Sequence, residues 1–195
     1  MIIDKPSIRK EIRQKRRALS FSEKNLAAKK LLHSLRQSQA FQAAQHVAIY
    51  QTQDGEISTE LLIKDLLARK KTLYLPVLHP FKKGHLVFVR FDKNTRMQKN
   101  RFGILEPEFR VENTINPALL HWVCMPLVAF DEQGNRLGMG GGFYDRTFAF
   151  VRHASVKPQL LGLAYELQKY AKLPAETWDI PLAAIATQEK LYAFS

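Results

Sequence analysis

The sequence has little cysteine, no long apolar run and few acidic residues. Cys124 is the only cysteine among 195 residues, which excludes an internal disulfide framework. It lies in the apolar run WVCMPLVAF, where a free cysteine usually behaves as a small buried hydrophobe and not as a nucleophile. No apolar run approaches the roughly 18 residues of a membrane span, and residues 1–17 lack the apolar centre of a secretory signal. We therefore expect a cytoplasmic protein.

The motifs of two hydrolase classes are also missing. The six histidines are scattered without the spacing of zinc ligands, and no G-x-S-x-G nucleophile elbow is present. Metal-hydrolase and serine-hydrolase activities are therefore disfavoured.

Positive charge is abundant and partly local. The chain carries 30 Lys and Arg against 18 Asp and Glu, a net charge of +12. Much of the excess lies in residues 5–30, where Glu11 and Glu23 are the acidic residues among many cations. Such a balance favours an anionic partner, namely nucleic acid, a nucleotide or a polycarboxylate substrate.

Two helices are predicted at the amino end. Ile8, Ile12 and Leu19 form a narrow helical stripe with basic residues around the remaining face. Ser20 followed by Glu23 is a capping-box pattern that begins the second helix. The first helix should therefore lie on the body of the protein.

Short apolar runs then alternate with helical spacing. HVAIYQ, TELLIKDLLARK and TLYLPV predict a strand, a helix begun by Ser58 or Thr59, and a second strand, which is a βαβ unit. Strands are also predicted for LVFVRF, HWVCMPLVAF, QLLGLAY, AAIATQ and LYAF, and helices for YDRTFAFVRH and ELQKYAKL. The polar stretch Asp92–Asn100 is predicted to be a surface loop, and Glu106-Pro107 a turn.

This order predicts one α/β domain over residues 1–195. We expect a mostly parallel central sheet flanked by helices, a Rossmann-like three-layer architecture, with the basic N-terminal helix packed against it. No internal repeat, low-complexity segment or linker divides the chain.

A glycine cluster follows the most apolar predicted strand, in the stretch FDEQGNRLGMGGGFYDR. Consecutive glycines let backbone N–H groups converge on a phosphate or carboxylate, although the stretch matches neither a P-loop nor a dinucleotide fingerprint. Arg136 before the glycines and Asp145 after them are a cation and a carboxylate of the kind used with nucleotide phosphates and Mg²⁺. Two alternatives are a glycine connection needed only for packing, and an Asp145 that serves the dipole of the next helix.

The same stretch resembles the signature of the 5-formyltetrahydrofolate cyclo-ligase family. The resemblance covers nearly the whole chain, because six other segments occur in the family's order: KPSIRKEIRQKRRALS, GEIST, KKTLYLPV, FGILEPE, GLAYELQ and LPAETWDIPLAAIATQEKLY. The chain differs from many members at Phe143, where they carry tyrosine, and from some at Gly141, where they carry lysine.

The resemblance implies an enzyme of one-carbon metabolism that uses ATP and Mg²⁺. It would convert 5-formyltetrahydrofolate to 5,10-methenyltetrahydrofolate and release ADP and phosphate. In the family's scheme the formyl oxygen attacks the γ-phosphate, N10 then attacks the activated carbon, and phosphate leaves as the ring closes. This chemistry relies on positioning and charge stabilisation, which suits a chain without a nucleophile constellation.

The resemblance also implies the site residues. Catalysis would involve Arg136, Tyr144 and Asp145. Asp145 and Asp179 would hold Mg²⁺, although Asp179 before Ile-Pro could simply cap a turn. ATP would be bound by the K-x-x-I-R segment and the glycine stretch: Lys5, Pro6, Ser7, Ile8, Arg9, Arg136, Leu137, Gly138, Met139, Gly140, Gly141, Gly142, Phe143 and Tyr144. Alternatively, Lys5 and Arg9 belong to a solvated helix face and have no binding role.

The implied folate site comprises Gln51, Glu56, Phe102, Met139 and Phe143. The carboxylate of Glu56 can pair with the amino-pyrimidine edge of a pterin through two hydrogen bonds. Alternatively, Glu56 is an exposed acid favoured by the dipole of the following helix, and Phe102 merely fills the core.

Two other functions remain open at this point. A nucleic-acid-binding protein would use the basic N-terminal helix to follow phosphates, but it leaves the glycine–Asp signature without a purpose. An ATP-dependent enzyme for another formyl- or carboxylate-bearing substrate would keep the same glycine loop. We favour the folate enzyme, which implies a monomer acting on small molecules with no nucleic-acid or membrane partner.

Overall fold

The structure is a computed structural model that describes residues 4–194. Five α-helices cover Lys5–Ala18 (α1), Phe21–Gln37 (α2), Gln39–Ala43 (α3), Glu60–Ala68 (α4) and Phe143–Thr147 (α5). Twelve strands cover His46–Ala48 (β1), Thr72–Leu78 (β2), Leu86–Phe91 (β3), Met97–Lys99 (β4), Leu105–Pro107 (β5), Thr114–Ile115 (β6), Trp122–Pro126 (β7), Ala129–Phe130 (β8), Arg136–Leu137 (β9), Gln159–Leu163 (β10), Ala184–Ala186 (β11) and Leu191–Ala193 (β12). Residues 1–3 and 195 of the predicted domain lie outside the described range.

The central sheet has eight strands in the order β12-β11-β10-β7-β1-β2-β3-β6. The five strands from β11 to β2 are parallel, and the edge strands β12, β3 and β6 each pair antiparallel with the preceding strand of the sheet. The prediction of a mostly parallel α/β sheet is therefore confirmed. Strand β7 lies at its centre and carries buried Val123, Cys124 and Met125, which confirms the buried interpretation of Cys124.

Side chains alternate along each strand, so the sheet has apolar side chains on both faces. Helices and loops cover both faces. On one face, Cys124 and its neighbours pack against apolar residues of α2, α3 and α4, such as Leu31, Phe41 and Leu66. On the other face, Met125 belongs to the core that includes Phe148, which directly follows α5. The three-layer architecture follows from these two cores.

Helix α1 packs against the body of the domain, as predicted, and the structure places it beyond the carboxyl end of β7. Ile8 and Ile12 are fully buried in a third apolar cluster with Val128 and Leu137. Asp4 caps the helix by accepting a hydrogen bond from the Ser7 backbone N–H. The helix is followed by Ser20, whose side chain forms the predicted capping box at the start of α2.

The segment between β3 and β6 differs from its prediction. Strand β4 occupies part of the predicted loop Asp92–Asn100, and β5 includes Glu106-Pro107, which was predicted to be a turn. The two strands form an antiparallel hairpin. Proline is tolerated there because Pro107 is the last residue of a short strand in a two-stranded ribbon.

Helical segments after the glycine stretch are shorter than predicted. In YDRTFAFVRH, α5 ends at Thr147 and a 3₁₀ turn covers Ala149–Arg152, while ELQKYAKL contains only the 3₁₀ turn Glu166–Gln168. The Thr147 hydroxyl donates to the Phe143 carbonyl and accepts from the Leu86 N–H, so this side chain ties the helix end to the sheet. HWVCMPLVAF also divides, because β7 ends at Pro126 and β8 pairs with β9 in a separate ribbon.

Within residues 4–194, no helix is both long and apolar enough to cross a membrane.

Candidate active site

Two adjacent parallel strands lead into the residues predicted to bind the substrates. Strand β1 leads into the turn that contains Glu56, and its neighbour β7 leads into the β8–β9 ribbon and the glycine stretch. Because the strands are parallel, both segments leave the same edge of the sheet, where ligands of open α/β sheets bind. The fold thus brings the two predicted halves of the site together.

The glycine stretch has a backbone that only glycine adopts readily at two points. Gly140 and Gly142 have φ values of +96° and +62°, and Gly142 directly precedes α5. Arg9 approaches this backbone closely, since its Nε donates to the Gly138 carbonyl at 2.8 Å. A Cβ at position 140 would lie 3.5 Å from the Arg9 guanidinium. The loop and the first turns of α1 therefore form one surface.

Arg136 and Asp145 form a largely buried ion pair beside the glycines. An Nη atom of Arg136 donates to Asp145 Oδ1 at 2.5 Å, and the Ile180 N–H donates to the same oxygen at 3.2 Å. Arg136 Nε is buried and has no hydrogen-bond partner among the described residues. A buried donor left unpaired is costly, so this guanidinium retains capacity for a further acceptor.

Asp179 lies next to Asp145, because it precedes the Ile180 whose N–H bonds to Asp145. Its Oδ2 accepts from the Glu176 N–H at 2.9 Å and lies 3.8 Å from Lys5 Nζ. Lys5 also pairs with the Glu176 carboxylate at 3.2 Å. The turn-capping alternative for Asp179 is thus realised, and the predicted ATP contact Lys5 adjoins the predicted metal position.

The two aspartates have the donor chemistry of a magnesium site that shares its ion with phosphates. The described residues contain no cluster of three or more His, Cys, Asp or Glu side chains suited to a metal ion. Mg²⁺ is commonly held by one or two carboxylates, with substrate phosphates and water as its other ligands. Asp145 and Asp179 fit that arrangement and do not fit a site made by protein alone.

Glu56 is a partly buried carboxylate whose environment favours the protonated form. Burial raises its pKa from 4.5 to about 7, against the opposing effects of the Gln53 backbone N–H and the Arg16 charge. Its Oε2 accepts from the Gln53 N–H at 2.9 Å. The interpretation of Glu56 as an ordinary exposed acid is therefore wrong.

Tyr144, at the end of the glycine stretch, lies within electrostatic range of Glu56. Burial raises the pKa of the Tyr144 hydroxyl, and the nearby Glu56 carboxylate raises it further. Its ring stacks on Phe148 with 6.4 Å between centroids. The Tyr144 hydroxyl therefore stays neutral within electrostatic range of Glu56.

Three apolar side chains predicted to contact folate lie on the open side of this region. Phe102 at the tip of the β4–β5 hairpin is 57% exposed, and Met139 is 52% exposed. Phe143 makes an edge contact with Phe102 at 6.1 Å between centroids. Phe102 therefore does not fill the core and is free to stack on a ligand.

Other predicted residues are buried below the loop or lie at its margin. Ile8 and Leu137 are buried in the cluster below the loop, so their side chains do not face a nucleotide. Pro6 and Ser7 are exposed in the first turn of α1, and Gln51 is partly buried shortly after β1.

Arg146 was not singled out from the sequence. Its Nη2 donates to the Gly141 carbonyl and its Nε donates to the Gly84 carbonyl at 2.9 Å. Its position could have indicated a role, because it is a cation that directly follows Asp145 in the glycine-rich signature. It is a further positive charge on the glycine stretch.

Comparisons with known proteins identify the family of the chain. The sequence profile of the 5-formyltetrahydrofolate cyclo-ligase family matches residues 2–188. The 5-formyltetrahydrofolate cyclo-ligase of Haemophilus influenzae is 46% identical over 90% of this chain and 92% of its own length. That of Escherichia coli K12 is 40% identical over 93% of this chain and 98% of its own length.

The fold is similar to a solved enzyme structure as well. The NMR structure of Aquifex aeolicus 5,10-methenyltetrahydrofolate synthetase aligns with a TM-score of 0.80 and 31% identity, covering 97% of this chain and 92% of that chain. Sequence signature, central sheet and relatives lead to the same assignment: the chain belongs to the 5-formyltetrahydrofolate cyclo-ligase family and is an enzyme of that kind.

Proposed function

We propose that residues 1–195 act as one cyclo-ligase domain that converts 5-formyltetrahydrofolate to 5,10-methenyltetrahydrofolate at the expense of ATP. The formyl oxygen attacks the γ-phosphorus and ADP leaves. N10 of the folate then attacks the activated carbon and loses its proton, and phosphate departs with the former formyl oxygen as the ring closes. Phosphorylation replaces a poor leaving oxygen by a good one.

One observation carries the proposal. The Glu56 turn and the glycine stretch leave one edge of the sheet from adjacent parallel strands, with Tyr144 close enough to Glu56 for the carboxylate to raise the tyrosine's pKa. A folate held by Glu56 therefore lies beside the segment suited to phosphate. Phosphoryl transfer needs this proximity more than it needs a protein nucleophile.

The phosphate half is assigned to the first turns of α1 and the glycine stretch. Lys5, Arg9 and Arg136 supply positive charge, and the backbone N–H groups of the glycine stretch, where Gly140 and Gly142 have positive φ, are assigned to phosphate oxygens. The unpaired Nε of Arg136 is a donor that a phosphate oxygen can satisfy. These cations are expected to stabilise the negative charge on the transferred phosphoryl group and on the leaving oxygen of ADP.

Asp145 and Asp179 are assigned to Mg²⁺. Their carboxylates would hold the ion, and a bound Mg²⁺ would offset the negative charge of the phosphates. Both carboxylates have cationic neighbours, Arg136 for Asp145 and Lys5 for Asp179. These ion pairs orient both aspartates, and the same cations are available to the phosphates.

The folate half is assigned to Glu56, Gln51, Phe102, Met139 and Phe143. Glu56 in its ionised form accepts two hydrogen bonds from the amino-pyrimidine edge of the pterin. Phe102 and Phe143 offer ring faces or edges to the flat heterocycle, and exposed Met139 is an adaptable apolar contact. Tyr144 contributes a neutral hydroxyl near the carboxylate.

The experiment is the near-ultraviolet absorbance of the methenyl product. Purified protein is mixed with 5-formyltetrahydrofolate, with ATP and Mg²⁺ added separately and together. The proposal predicts a signal that needs all components. A folded, ATP-binding protein without that signal would retain the phosphate site and refute the folate reaction. Salt-sensitive binding to nucleic acid, abolished by removing residues 1–17, would favour the nucleic-acid function instead.

A further inference from the structure

The turn before Glu56 is fastened to α1 by an arginine cluster that no predicted role requires. The Asp54 carboxylate accepts from Arg13 Nε and from Arg17 Nε, each at 2.7 Å, and from Arg16 Nη2 at 3.2 Å. Burial raises the pKa of Asp54, but the hydrogen bonds from Arg13 and Arg17 outweigh it and hold the pKa below its usual range. Asp54 is thus a charged anchor between the turn and the helix.

Arg16 holds a second point of the same turn. It is fully buried and donates to the Asp54 carbonyl at 3.0 Å and to the Leu127 carbonyl at 3.1 Å. Leu127 directly follows β7 on the way to the glycine stretch. One guanidinium therefore joins the exits of β1 and β7, the two strands that lead into the folate and phosphate segments.

The backbone of the turn is in an unfavourable conformation for a residue with a side chain. Asp54 has φ +48°, a left-handed value that asparagine and aspartate tolerate better than most residues. Gly55 follows with φ +71° and packs directly on the α1 backbone, where a Cβ would lie 3.5 Å from the Arg16 carbonyl. This conformation persists because the surrounding contacts hold it.

The arrangement is costly for stability alone. Arg16 Nε is buried and has no hydrogen-bond partner among the described residues. A buried guanidinium with an unsatisfied donor contributes less than a well-packed apolar side chain of similar volume. A local cost of this kind is expected where geometry is needed for function.

We propose that Asp54 and Arg16 are positioning residues for folate, which set the place and orientation of the Glu56 carboxylate. Two side-chain anchors fix the residues that precede it, while Tyr165 donates to the Glu56 carbonyl at 3.2 Å from the other side. This inference rests on the proposed function, because it takes Glu56 to bind the pterin. It adds that the α1 cluster, which lies outside the residues predicted to contact ligands, determines folate affinity.

The test uses Asp54→Asn in the full chain, because asparagine retains the left-handed backbone and the size but weakens the ion pairs. The dissociation constant for 5-formyltetrahydrofolate without ATP should rise on the order of tenfold, as expected when a binding group is displaced. The KM for ATP should change by less than about twofold, because the phosphate residues keep their contacts. Arg16→Lys retains the charge but cannot span Leu127 and Asp54, so it should raise the same dissociation constant for 5-formyltetrahydrofolate.

Asp65→Asn is the matched control. Asp65 on α4 is likewise paired with two arginines, Arg36 and Arg69, with Nε···Oδ distances of 3.1 Å. Its variant should lose thermal stability as Asp54→Asn does, while its folate affinity stays at the wild-type value. Equal losses of folate affinity in both aspartate variants, or an unchanged affinity in Asp54→Asn, would overturn the positioning role.

Two further measurements separate this inference from the proposed function. Wild-type protein that fails to bind 5-formyltetrahydrofolate, or a Glu56→Gln variant with wild-type affinity, would overturn both. The inference alone would be overturned by a different combination of results. In that case the wild-type protein turns over 5-formyltetrahydrofolate and Glu56→Gln binds it more weakly, but Asp54→Asn and Arg16→Lys bind it as the wild type does.

Discussion

Replacing Glu56 by glutamine should make the protein more stable at pH 8 and weaken its folate site. The folded protein holds the Glu56 pKa at about 7, whereas the ordinary value is 4.5. Because the folded-state pKa is the higher one, ionisation of Glu56 favours unfolding. Wild-type stability should therefore fall as the pH rises from 4.5 to about 7, with no further contribution from this residue above that range.

The magnitude follows from the same two values. Each pKa unit corresponds to about 1.4 kcal/mol, so ionised Glu56 costs at most about 3 kcal/mol at pH 8. Glu56 is partly exposed, and screening by solvent reduces the expected value to about 1–2 kcal/mol. Glutamine keeps an acceptor for the Gln53 N–H, so the variant should lose little of the turn's structure.

The assay is urea unfolding of the wild-type and Glu56→Gln proteins at several pH values between 5 and 8. The difference in the free energy of unfolding should be largest at pH 8 and shrink towards pH 5, because other titrating groups are common to both proteins. A pH-independent difference, or a variant less stable than the wild type at pH 8, would refute the buried-carboxylate account.

Four other outcomes are expected. Folate affinity should increase as the pH rises through about 7, because the ionised form of Glu56 accepts the pterin hydrogen bonds; a flat profile in direct binding measurements between pH 6 and 8 would contradict this. Asp145→Asn should raise the Mg²⁺ requirement or abolish turnover and should also lower the melting temperature, because it weakens the largely buried pair with Arg136; normal activity at low Mg²⁺ would remove Asp145 from the metal site. Arg136→Ala should raise the KM for ATP more than that for folate, and an unaltered ATP dependence in steady-state kinetics would argue against its phosphate role. Burial raises the pKa of Cys124, so the folded protein should resist alkylation and Cys124→Ala should retain turnover; loss of activity without loss of stability would show a chemical role for the thiol.

Patterns with a strong apolar signal allowed prediction of the central architecture. HVAIYQ and HWVCMPLVAF contain the adjacent strands β1 and β7, and the helix between the first two predicted strands begins after Thr59, as its sequence indicated. These segments are determined by burial, which the sequence records directly as apolar periodicity. Their parallel pairing then places Glu56 and the glycine stretch at one edge.

Weakly apolar segments and long-range polar contacts were not predictable. The β4–β5 hairpin has an edge strand of only three residues, Met97–Lys99, whose pattern is that of a loop. The side chain of Asn100 donates a hydrogen bond to the buried Glu106 carboxylate across this hairpin, and such a polar contact leaves no hydrophobic periodicity in the sequence. Arg16 stood in a basic run and gave no sign of burial, because its partner Leu127 is 111 residues away in the sequence.

In the site, too, some features were predictable from the sequence and others were not. The glycines and Asp145 were recognisable because their order in the chain is itself the signature. The Arg136–Asp145 pair and the burial of Glu56 depend on the folded surroundings. Asp54 escaped notice because a single aspartate before glycine reads as an ordinary turn residue.

The most direct test of the account follows the fate of the formyl oxygen. The wild-type enzyme is supplied with 5-formyltetrahydrofolate that carries a heavy-oxygen label in the formyl group, together with ATP and Mg²⁺, and the released phosphate is analysed by mass spectrometry. Attack of the formyl oxygen on the γ-phosphorus predicts one labelled oxygen in each phosphate released. Methenyl product accompanied by unlabelled phosphate, with the label in water, would contradict phosphorylation of the formyl group at the glycine stretch.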